Sequence, residues 1–195
     1  MRSLSLHTSD GHALDADLAE ASEPTAGVVV CHPHPLYGGN RFNPVVDAFF
    51  RALPAAGFTT IRFDFRAAHA GGVGERLDAM AALDELAEVP GPRFIVGYSF
   101  GAIVALTTAD PRVTGIVAVA PPLTSPIDPP SPLVLVLMPR HDQVCPVDTA
   151  SSVVGSWPNA SFEVVEHADH FLVGHTAVVA ERGVSWLTER VAASA

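Results

Sequence analysis

The chain contains no lysine: its 11 basic residues are all arginine, against 21 acidic ones, for a formal charge of −10 over 195 residues. A chain so charged repels a phosphate backbone, and its arginines, scattered singly, form no basic stripe, so nucleic acid is not expected as a partner. The missing lysine, beside abundant Ala and Arg, reads as a bias of the coding sequence and carries no chemistry. Cysteine is almost as scarce: Cys31 and Cys145 lie too far apart for a CxxC redox or zinc pair, and both are expected as free thiols. No apolar run reaches the roughly 18 residues of a transmembrane helix, so no membrane association is expected. The opening residues alternate polar and apolar positions without the apolar core of a secretory signal, which predicts a cytoplasmic protein.

What is plentiful is apolar sequence, 48% of the chain, enough for one core and a single domain spanning residues 1–195. β-branched runs alternate with helical stretches, the rhythm of an α/β protein with a mostly parallel sheet. Ser3–Thr8 and Ala13–Ala19 alternate in period two around Ser9-Asp10-Gly11-His12, predicting an antiparallel hairpin at the sheet's edge, a surface that a second copy could share as a homodimer. Further strands are predicted over Gly27–His32, Phe58–Phe65, Arg93–Gly97, Val113–Ala120, Pro132–Met138 and Ser161–Val165. Helices are predicted over Asn43–Ala56, Gly74–Val89, Ala102–Ala109, Val147–Trp157 and Gly174–Val191. The Pro-rich run Pro121–Pro130 reads as a loop.

Gly97-Tyr98-Ser99-Phe100-Gly101 matches G-x-S-x-G and falls between a predicted strand and a predicted helix, the context that makes it a nucleophile turn. A serine hydroxyl is too weak an acid to attack unaided at neutral pH; it needs a histidine base, and that base needs a carboxylate. After such a turn the acid and then the histidine follow in chain order. Asp142, beyond the strand ending at Met138, is preferred to Asp128 in the Pro-rich loop and to Asp148 at a helix start. His170, beyond the last strand, is preferred to His167 and His175, and Asp169 reads as an exposed loop charge. An oxyanion needs two N–H donors: Phe100 supplies one, and the loop His32-Pro33-His34-Pro35-Leu36-Tyr37-Gly38-Gly39 the other. Pro33 and Pro35 have no N–H, so His34 is preferred, with Leu36 or Tyr37 as alternatives. The His32 side chain is expected to stiffen the loop through backbone hydrogen bonds.

The His32–Gly39 loop, Arg62-Phe63-Asp64-Phe65-Arg66, the serine turn at 97–101 and Ala168-Asp169-His170-Phe171 together resemble the compact bacterial α/β hydrolases related to dienelactone hydrolase. The resemblance implies an eight-stranded α/β-hydrolase sheet, a Ser-Asp-His triad of Ser99, Asp142 and His170, and no cofactor. Two departures stand out. Dienelactone hydrolase carries Cys where this chain has Ser99, and the Gly-rich run that usually follows Phe-Arg is here Ala67-Ala68-His69-Ala70. Residues 120–131 are too few for a cap domain, so an open cleft for a small acyl substrate is expected, with Tyr37, Leu123 and Phe171 as substrate-binding walls beside Phe100 and Ile127. Ester cleavage through an acyl-enzyme is the favoured activity; thioesterase or peptidase action, or a non-catalytic binding protein, are the alternatives. A metal-dependent hydrolase is disfavoured because no metal-ligand spacing such as HExxH occurs, and no metal is expected.

Overall fold

In the computed structural model, which describes residues 1–194, the apolar runs assemble into one eight-stranded sheet. The strands are β1 (Arg2–His7), β2 (Ala13–Ala19), β3 (Ala26–Cys31), β4 (Phe58–Phe63), β5 (Arg93–Tyr98), β6 (Val113–Val119), β7 (Leu133–His141) and β8 (Ala160–Asp169). The helices are α1 (Pro44–Ala52), α2 (Val73–Glu85), α3 (Phe100–Thr107), α4 (Val147–Val154) and α5 (Thr176–Ser194). Spatial order is β1-β2-β4-β3-β5-β6-β7-β8, with β2 alone running against its neighbours. The predicted hairpin is therefore the sheet's edge, as its alternating pattern required.

Central β3 and β5 are buried along their whole lengths. Their apolar runs still divide by period two: Val29, Cys31 and Ile95 enter one core, Val28, Val30, Phe94 and Val96 the other. Helices α2, α3 and α4 cover the first face, and α1 and α5 the second. Helix α1 stops at Ala52 because Pro54 lacks an N–H and opens a short 3₁₀ turn, Pro54–Ala56, where the apolar spacing predicted continuous helix.

Strands β7 and β8 both run beyond their predicted ends, because pairing overrides the polar composition there. Their parallel ladder continues to the pair His141↔Asp169, with Arg140 and Glu166 hydrogen-bonded across it. That register brings the next residues, Asp142 and His170, to adjacent strand ends. A second anchor ties the hairpin to the segment after β4. The Arg66 guanidinium is held by the buried Asp78 of α2 and by Asp10 of the β1–β2 turn, at 2.7 Å from each carboxylate.

Candidate active site

Ser99 sits between the end of β5 and the start of α3 with φ +54° and ψ −118°, a conformation that costs a non-glycine residue on the order of 1–3 kcal/mol. The surrounding glycines permit it. A Cβ on Gly97 would lie 2.2 Å from the carbonyl oxygen of Gly101, and one on Gly101 would lie 2.5 Å from the carbonyl oxygens of Cys31 and His32. The Ser99 N–H donates to the Val119 carbonyl and its own carbonyl accepts the N–H of Ala102, both at 2.9 Å, so the strained residue is fixed from both sides. Its hydroxyl stands at the half-buried head of α3, where the helix field is positive.

Ser99 Oγ lies 3.0 Å from His170 Nε2, and His170 Nδ1 lies 2.7 Å from Asp142 Oδ2. The Asp142 side chain has no solvent exposure, and its other oxygen accepts the N–H groups of Val144 (2.8 Å) and Cys145 (2.9 Å). Each carboxylate oxygen is thus engaged, and a carboxylate so fixed holds Nδ1 as the protonated nitrogen, leaving Nε2 to face the serine.

Three residues that sequence reasoning missed hold this row together. The Tyr98 hydroxyl donates to the His170 carbonyl at 2.8 Å, and Gln143 Oε1 accepts the His170 N–H at 3.2 Å. Burial, together with Asp142 and Asp169, pushes the Tyr98 phenol up to about 12, so it stays a donor. Asp169 is not the idle loop charge expected: its carboxylate accepts the N–H groups of Phe171 (3.0 Å) and Leu172 (3.2 Å) and folds the turn behind His170. Only that Asx-turn pattern, an Asp two and three residues before the pair Phe171-Leu172, was available as a signal for Asp169. Among the described residues none of the rejected candidates, Asp128, Asp148, His167 and His175, is hydrogen-bonded to the row. Asp128 and Asp148 are exposed, and His175 Nδ1 bonds the Val173 carbonyl.

The loop after β3 folds as a 3₁₀ turn, Pro35–Tyr37. The Leu36 N–H donates to the His34 ring at 3.2 Å, and the Tyr37 N–H to the His34 carbonyl at 3.0 Å. Both alternative donors are therefore occupied, whereas among the described residues the N–H groups of His34 and Phe100 have no protein acceptor. The two residues adjoin, with ring centroids 4.8 Å apart. Tyr37, beside His34, and Phe171, beside His170, are exposed, at 89% and 67%. Leu123, expected as a third wall, is instead 1% exposed in the core, where the Pro121 carbonyl accepts its N–H and turns the chain inward. Residues 121–132 carry no helix or strand.

His32 is a buried loop brace. Its Nδ1–H donates to the Pro33 carbonyl at 2.6 Å, and its Nε2 accepts the Phe65 N–H at 2.9 Å, which requires the neutral ring. Burial pushes this imidazole below its ordinary value of 6.5. The unfolded chain consequently binds a proton that the native state refuses. The resulting stability is complete above about pH 6.5 and is lost as pH falls toward the folded value. The melting temperature of the wild type is expected to fall more steeply between about pH 7 and pH 5 than that of His32→Gln, whose amide cannot titrate; parallel curves would clear His32 of this role.

Among the described residues, no three His, Cys, Asp or Glu side chains converge as a metal-ligand set, and no helix is long and apolar enough to cross a membrane. Residues 28–147, more than half of the chain, match the family model described as the alpha/beta hydrolase family. An uncharacterized protein of Rickettsia prowazekii is 31% identical over 183 residues, spanning 81% of this chain and 77% of that protein. Two solved structures superpose closely. A protein of unknown function from Agrobacterium tumefaciens has TM-score 0.88 and 25% identity, over 98% of this chain and 97% of that one. An alpha-beta serine hydrolase homologue from Coxiella burnetii has TM-score 0.84 and 28% identity, over 95% and 97%. From the ladder order, the serine turn at the end of β5 and these matches together, the chain belongs to the α/β hydrolase family.

Proposed function

We propose that this hydrolase is a serine esterase acting on small acyl substrates through an acyl-enzyme, with Ser99 as nucleophile, His170 as general base and acid, and Asp142 as the carboxylate that orients it. The observation that carries the reading is the continuous row Ser99 Oγ–His170 Nε2–Asp142, with contacts of 3.0 and 2.7 Å. His170 takes the hydroxyl proton as Oγ bonds to the acyl carbon, and Asp142 stabilises the imidazolium that results. The carbonyl oxygen becomes an oxyanion, received by the N–H groups of Phe100 and His34. Collapse breaks the bond to the leaving alcohol, which takes the proton from His170. Water then gives His170 a proton while attacking the acyl carbon, and the acid departs as Ser99 recovers its hydrogen.

The absence of helix or strand over residues 121–132 and the exposed Tyr37 and Phe171 support a shallow, open cleft suited to short or flexible acyl groups. A fluorophosphonate tests the chemistry directly, because it phosphonylates only a serine activated in this way. Mass spectrometry of the tryptic peptide Phe94–Arg112 is expected to find the adduct on Ser99. An unlabelled peptide from folded protein, together with no turnover of short p-nitrophenyl esters, would overturn the reading.

A further inference from the structure

The segment Ala67–Ala70 between β4 and α2 carries a single side chain capable of chemistry, His69. Its Nδ1 lies 2.9 Å from Glu75 Oε1, and the Glu75 side chain has no solvent exposure. Glu75 also accepts the N–H groups of Ala70 and Gly72, each at 2.8 Å. Burial works against the charged carboxyl, yet those backbone donors and the nearby His69 hold it below the usual range, so Glu75 is a buried carboxylate with the His69 ring set against it. The imidazole is thereby fixed in place from behind.

In front of it stand two rings. The His69 centroid is 4.3 Å from that of His34 and 5.3 Å from that of Phe100, while His34 and Phe100 are 4.8 Å apart. The three side chains close a triangle. Two of its corners are the residues whose N–H groups have no protein acceptor among the described residues and are the proposed oxyanion donors, and the third sits against a buried carboxylate. From this we infer that His69, held by Glu75, is a positioning residue for the oxyanion site: its ring wedges the His34 loop against Phe100 and fixes the spacing of their two N–H donors. The inference rests on the serine-hydrolase reading and extends it to a residue outside the Ser99–His170–Asp142 row.

Oxyanion donors act where charge develops, so loosening them weakens the transition state far more than the bound ester. Loss of one whole donor costs roughly 10²–10³-fold in kcat; a displaced donor should cost about 10-fold or more. Three variants separate the ring from its polar contact with Glu75. His69→Ala removes both, His69→Gln keeps a donor for Glu75 without a ring, and His69→Phe keeps a ring without the donor. With a short p-nitrophenyl ester, His69→Ala and His69→Gln are expected to lose about 10-fold in kcat with KM within about twofold, and His69→Phe to recover most of it. Rates of fluorophosphonate labelling should follow kcat, since the phosphonyl oxygen occupies the same donors.

Unchanged kcat in His69→Ala, a loss confined to KM, or a His69→Phe protein as slow as His69→Ala while both stay folded by circular dichroism would overturn the inference. A wild type that neither labels nor turns over would bring down the serine-hydrolase reading and this inference with it. A labelled wild type with an unaffected His69→Ala would remove this inference alone.

Discussion

Replacement of His170 by alanine is expected to lower kcat for a short aryl ester by about 10⁴-fold or more, and Ser99→Ala to do the same. Among the described residues His170 Nε2, at 3.0 Å, is the one ring nitrogen hydrogen-bonded to the Ser99 hydroxyl, so without the imidazole that hydroxyl loses the group placed to take its proton. The two losses should not add. On the proposed mechanism the two share one proton transfer, so the double variant should be no slower than either single one, with the residue of activity owed to binding and the oxyanion donors. Asp142→Asn is expected to fall by a comparable factor of about 10⁴, because an amide facing His170 Nδ1 favours the wrong tautomer. Additive losses in a full kinetic comparison would mean that the three side chains do not work as a unit.

Gly101→Ala is the second large effect, and it falls on stability. The new methyl would meet the carbonyl oxygens of Cys31, the last residue of the buried central strand β3, and of His32 just after it, both at 2.5 Å. Helix α3 would have to lift from the sheet, opening the apolar layer formed by Ala102, Val104 and Ala105. Such a shift should cost about 3 kcal/mol or more. For a chain of this size that is a fall of roughly 6–12 °C in melting temperature. Ser99 would move with the helix, so fluorophosphonate labelling of whatever remains folded should slow as well. A Gly101→Ala protein with unaltered melting and labelling would show that the serine turn is looser than its contacts imply.

The parts of this molecule that could be read from sequence are those governed by local pattern. Uninterrupted Val-rich runs identified β3 and the central strands, and G-x-S-x-G between strand and helix located the serine turn. Chain order then led to Asp142 and His170, which the structure places in one hydrogen-bonded row. What escaped depends on contacts between distant segments. The extension of β7 and β8 arises from mutual pairing, which neither polar end announces on its own. The Tyr98 hydroxyl reaches a carbonyl 72 residues away, and Leu123 turned inward although its Pro-rich surroundings suggested surface. His69 looked like an interruption of a loop. Its partner Glu75 lies six positions on, in a helix whose first turn gives no hint that a side chain points back.

The Ser99–His170–Asp142 row is carried by strands that differ in how they are protected. Strand β5 is flanked on both sides and buried throughout, so the backbone leading to Ser99 is expected to be among the slowest to exchange its amide hydrogens. β8, which leads to His170, is the edge strand opposite β1, pairs on one side only and is partly exposed along its length. Local opening there costs less than global unfolding. Warming is therefore expected to loosen the strand end that carries His170 while Ser99 is still held, so that the two side chains part before the fold is lost and meet again on cooling.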